Sequence, residues 1–156
     1  MRARTPSAYA HQWTIAYNLS GSLHLSAPAV RETMFHENFH LNDQAHGDWS
    51  DRALSPMFDA VVRKCGTAMA CLAPYSPGTT VVKGGTYYSF QPGNGVREYA
   101  AELAVRYWKE QRAALGQEPA TPGARPFKCG PKENADAWKV FVAEFFAGID
   151  KTGACK

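Results

Sequence analysis

Hydrophobic and polar positions along this chain follow two different periods. "QWTIAYNLSGSLHLS", residues 12–26, divides at Ser20-Gly21 into two short strand-like runs. The second alternates through Leu23, His24 and Leu25, so the stretch predicts a hairpin. Ser26 then has the character of a helix N-cap with Pro28 in the first turn, and the helix it opens can run to Gly47, a natural left-handed stop. A shorter helix is expected from Ser55-Pro56 through "MFDAVVRKC" to Gly66. In "TTVVKGGTYYSF", β-branched and aromatic runs flank Gly84-Gly85, the pattern of a two-residue hairpin. After the loop "QPGNG", Asn94 can cap a helix, "VREYAAELAVRYWKEQRAAL", that ends at Gly116. Residues 117–132 contain four prolines and two glycines and predict an irregular surface connection. Asn134 is expected to cap a last helix, on which Trp138, Phe141, Val142 and Phe145 recur at helical spacing and form a core-facing stripe. No internal repeat or low-complexity segment interrupts this order.

Length and composition narrow the class. A chain of 156 residues suits one compact domain over residues 1–156, and 45% apolar with 20% charged residues belongs to a folded protein. The net charge of +3 comes from 17 basic and 14 acidic residues scattered along the chain, so no basic track points to nucleic acid. No apolar stretch is long enough for a membrane span, and "MRARTPSAYAHQW" lacks the apolar block of a signal peptide. Export therefore calls for another route or an upstream region. Cys65, Cys71, Cys129 and Cys155 have no C-x-x-C spacing, which argues against a zinc ribbon. Two readings stay open: local bridges Cys65–Cys71 and Cys129–Cys155, or four reduced thiols.

The chemistry is concentrated in "ETMFHENFHLNDQAH", residues 32–46, which holds three of the five histidines. His36, Glu37 and His40 form H-E-x-x-H. On a helix, residues four apart share a face, so two imidazoles can close on one ion, and the adjacent glutamate can take a proton from a water on that ion. Met34, Phe35, Phe39 and Leu41 around the motif suggest burial, and a buried glutamate between two buried histidines is costly without a partner or a metal. The simpler reading is a polar helix that carries the spacing by chance.

H-E-N-F-H on a capped helix, followed 58 positions after His40 by "REYAAELA" on a second helix, resembles the gluzincin branch of the zincin metallopeptidases. "EYAAELAVRYW" is similar to the corresponding helix of the lethal-factor-like peptidases. The resemblance covers the two motif helices and, loosely, the segment between them. It implies an α+β, zincin-like domain with small antiparallel hairpins, an active-site helix, a second ligand-bearing helix and a C-terminal packing helix. By that resemblance Zn2+ is held by His36, His40 and Glu98, small Ala101 lets two helices approach, and Glu102 accepts a hydrogen bond from a ligating histidine. The plainer alternative for Glu98 and Glu102 is a solvated face with a Glu102–Arg106 pair. His46, six after His40, is the alternative third ligand, matching the three-histidine metzincin spacing except that Asp43 stands where that family has glycine. Met57 in "LSPMF" makes a poor methionine turn, because Pro56 and its surroundings read as helix.

The expected activity is peptide-bond hydrolysis, with Glu37 as general base and Tyr87 or Tyr88, on the second hairpin, as donor to the oxyanion. "GSLHLS" is expected to hold extended substrate as an edge strand, with His24 a surface residue. The expected partners are a peptide or protein substrate and a cognate inhibitor or immunity protein, with a secreted or periplasm-acting site of action. An effector or toxin domain of a larger secreted bacterial protein suits these features. The competing class is a non-catalytic binding module with a structural or vestigial metal. A zinc-dependent nuclease or deaminase lacks the expected cysteine spacing and basic groove.

Overall fold

A computed structural model describes residues 8–18, 25–119 and 125–155 and shows a small α+β protein, mostly helical, with two short antiparallel sheets. The chain divides into two compact units, Met1–Trp49 and Ser50–Lys156.

In the first unit, β1 (Ala8–His11) pairs with β2 (Thr14–Tyr17) in the register Ala8↔Tyr17 to His11↔Thr14. The predicted first run is thus a strand, but it pairs with the residues before it. Its turn is Gln12-Trp13, with φ of 46° and 62°, the left-handed geometry that favours Asn-Gly. The expected break at Ser20-Gly21, the "GSLHLS" edge strand and His24 fall largely outside the described residues. β1 packs against α1 (Ala27–Ala45), which begins as expected: the Ser26 hydroxyl accepts the Ala29 N–H at 3.3 Å, and a proline occupies the first turn. The helix runs without a break through Asp43, and the chain turns only at Gly47 and Asp48, both at positive φ.

The second unit contains α2 (Trp49–Ala53, whose first residue belongs to the first unit), α3 (Ser55–Cys65), α4 (Met69–Leu72), β3 (Val81–Val82), β4 (Thr86–Tyr87), α5 (Val96–Ala114) and α6 (Lys132–Phe146). The short α2 and α4 were not predicted, being too brief for a period to show. The register Val81↔Tyr87 and Val82↔Thr86 leaves three residues, Lys83 to Gly85, in the loop rather than two, and the strands are only two residues long. Tyr88 has left the strand and opens a 3-10 turn, Tyr88–Phe90.

Two expected caps are corrected. Asn94 lies one residue before the N-cap Gly95, and its amide instead donates to the Tyr88 carbonyl at 2.8 Å, closing the loop. The last helix starts at Lys132 with Pro131 as N-cap, so Asn134 lies inside its first turn, fully buried, and donates to the Pro74 carbonyl at 2.8 Å. The aromatic stripe packs as expected: Trp138, Phe141 and Val142 are buried, Phe145 half-buried, and Tyr107 of α5 stacks near Trp138 and on Phe146. Among the described residues no helix is long and apolar enough to cross a membrane.

All four cysteines are paired, Cys65 with Cys71 and Cys129 with Cys155, the local pattern. The second bridge ends a strap formed by the residues after α6. Asp150 is its hub, accepting from Lys128 Nζ (2.7 Å), Trp138 Nε1 (2.9 Å), Gln111 Nε2 (3.1 Å) and both the N–H and hydroxyl of Thr152 (2.8 and 2.7 Å). Burial alone would raise the Asp150 pKa, but these donors together hold its carboxyl below the usual carboxylate range.

Candidate metal centre

α1 carries His36, Glu37 and His40 in its interior, where 3.6 residues per turn place His36 and His40 one turn apart on one face. His36 and Glu37 are buried and His40 is half-buried. Phe39 is buried beneath the motif and Phe35 and Leu41 are half-buried, whereas Met34, expected among the buried residues, is 42% exposed. The two rings meet edge to face with centroids 4.9 Å apart, and their Nε2 atoms stand 3.2 Å from one another. Two nitrogens each bound to one tetrahedral zinc at about 2.0–2.1 Å are separated by about 3.3–3.4 Å. The helix therefore presents two imidazole nitrogens at nearly ligand spacing.

α5 carries the acids. Val96, Tyr99, Ala100, Leu103, Ala104 and Tyr107 form its buried face, while Glu98 and Glu102, four apart, lie on a half-buried stripe. Glu98 is in the first turn, where the partial positive charge of the helix N-terminus favours a carboxylate. Arg97 anchors that end through a two-pronged ion pair with Asp51 of α2 (2.6 Å for Nη2). Arg106, the proposed partner of Glu102 in a solvated pair, is instead engaged by Glu110 at 2.5 Å.

His36, His40 and Glu98 are the group of described residues that could hold a metal ion, the histidines in the first unit and the glutamate in the second. His46 is outside it. Because the helix continues past Asp43, His46 lies about 9 Å along the axis and about 120° around it from His40. It is exposed and caps α1 through its own N–H, which donates to the Asn42 carbonyl at 3.1 Å. The sharp turn that would bring a sixth-position histidine back to the ion is absent at Asp43.

Tyr87 is half-buried on β4, and Tyr88 is half-buried in the following 3-10 turn, so the two phenols do not share a strand. The sequence reading missed Tyr17. It ends β2, half-buried, and its pKa is raised first by burial and then by the negative charge of Glu37. No local pattern marks it, since Ile15, Ala16 and Tyr17 are half-buried alike.

Comparison of the chain with family models, with curated proteins and with solved structures gives no match.

Proposed function

We propose that this chain is a zinc-dependent peptidase domain of gluzincin type, with His36, His40 and Glu98 as ligands and Glu37 as general base. The observation that carries the reading is the His36–His40 pair, whose Nε2 atoms stand 3.2 Å apart on one face of α1; with a Glu98 carboxylate it would make a donor set of two neutral nitrogens and one carboxylate that fits a catalytic zinc with an open position. When bound, zinc supplies polarisation of the substrate carbonyl and acidification of a water. Glu37, beside His36 and buried, takes the proton of the attacking water and passes it to the departing amine. Glu102, one turn beyond Glu98, accepts the remaining ring N–H of a ligating histidine and so holds the imidazole as the correct tautomer. Tyr17, a phenol close enough to Glu37 to feel its charge, is an O–H donor beside the base, and Tyr87 or Tyr88 serves the oxyanion.

The substrate is a peptide or protein. Two disulfides suit an oxidising compartment and support a secreted effector, with an inhibitor or immunity protein as partner.

Glu37→Gln separates an enzyme from a binding module that merely holds a metal. Zinc content should be unchanged while cleavage of unfolded casein falls by about 10²–10⁴-fold. Cleavage at the wild-type rate would remove Glu37 from the mechanism.

A further inference from the structure

Glu102 owes its position to a residue that has no side chain. Gly78 follows α4 in a stretch of backbone held from several sides. Asn134 of α6 donates to the Pro74 carbonyl at 2.8 Å, the Ser76 N–H donates to the Leu72 carbonyl at 3.0 Å, and the Ser76 hydroxyl donates to the Gly78 carbonyl at 2.7 Å. Tyr75, Ser76 and Pro77 are buried. A methyl group placed on Gly78 would overlap Glu102 Oε2 and stand 2.7 Å from Cδ and 3.5 Å from Cγ, the three nearest atoms. Gly78 shows no left-handed backbone that would call for glycine, so space is the reason for the residue.

We infer that Gly78 is a positioning residue for the metal centre: the gap it leaves is the seat of the Glu102 carboxylate. With a side chain there, something must move. The backbone at Gly78 is tied by the bonds above, and Ala101 and Leu103, on either side of Glu102, are fully buried. The far end of the flexible Glu102 side chain is the part that shifts. A methyl at position 78 thus displaces a carboxylate while leaving its charge in the protein. The consequence for metal binding rests on the zinc reading above, since Glu102 acts there through a histidine.

The test is a double-mutant cycle on Gly78→Ala and Glu102→Ala, read in two ways. Urea unfolding without metal and with the disulfides intact should show Gly78→Ala destabilising the wild type but having little effect in the Glu102→Ala background, where the gap is vacated. Zinc affinity, by competition with a chromophoric chelator, should fall by about 10–100-fold in each single variant, with no further loss in the double. Restored folding of Gly78→Ala by Glu102→Ala, should the single variant fail to fold, supports the seat equally. An equal stability loss in both backgrounds, or wild-type zinc affinity in Gly78→Ala, would overturn the inference. If the wild type takes up no zinc, the metal reading fails on its own, and the metal-free cycle still decides whether Glu102 fills the gap.

Discussion

Asp150→Ala should unfasten the strap that holds the C-terminal part of α5 against α6. The wild-type carboxylate accepts five donors, but they do not count equally. Lys128 and Thr152 are near enough to solvent to recover water, so their share is small. Trp138 is 3% exposed and Gln111 8%, and their N–H groups lose a charged acceptor without a replacement. At about 1–2 kcal/mol for each of the two stranded donors, the truncation costs about 2–4 kcal/mol. For a chain of this size that is a fall in Tm of about 4–16 °C. Differential scanning calorimetry of the oxidised protein near neutral pH measures it. The pH dependence supplies an internal control. A carboxyl whose folded pKa is depressed contributes stability that is present above its unfolded value of about 3.9 and is lost as pH falls toward the folded pKa. Wild-type stability should therefore decline below about pH 4 more steeply than that of the variant. A change in Tm under about 2 °C, or parallel acid limbs, would show that the hub is not holding the strap.

Two further perturbations test the scaffold. Replacing Cys129 and Cys155 together with serine should cost about 3–4 kcal/mol, because the bridge closes a separation of 26 residues, and calorimetry showing no loss would count against it. Replacing Gln12 and Trp13 with Asn-Gly should raise Tm or leave more of the hairpin protected in hydrogen exchange, since both residues now adopt left-handed backbone; a lower Tm would contradict the turn geometry.

What the sequence reveals depends on how local the determining physics is. α1, α3 and α5 are legible because apolar spacing and terminal glycines, joined in α1 by the Ser26 cap, act within a turn or two of each other. The Asn94 and Asn134 side chains are turned to other carbonyls, Asn94 to Tyr88 six residues back and Asn134 to Pro74, which is 60 residues away. β1 escapes notice because "AYAH" has one large residue and finds its pattern only in its partner strand. At the centre, the His36–His40 pair follows from helix period alone. That His46 stands outside the group of His36, His40 and Glu98 follows from the helix continuing past Asp43, which the sequence leaves open because Asp tolerates either conformation. Tyr17 and Gly78 are invisible in sequence, as their roles come from what folding places beside them, Glu37 for one and Glu102 for the other.

Whether His36, His40 and Glu98 hold a metal is decided by elemental analysis of the purified protein and its point variants. One zinc per chain is expected, lost in His36→Ala and His40→Ala, strongly reduced in Glu98→Ala and retained in His46→Ala. A wild-type protein that remains metal-free after equilibration with zinc, or a His36→Ala variant that keeps its full complement, would contradict it.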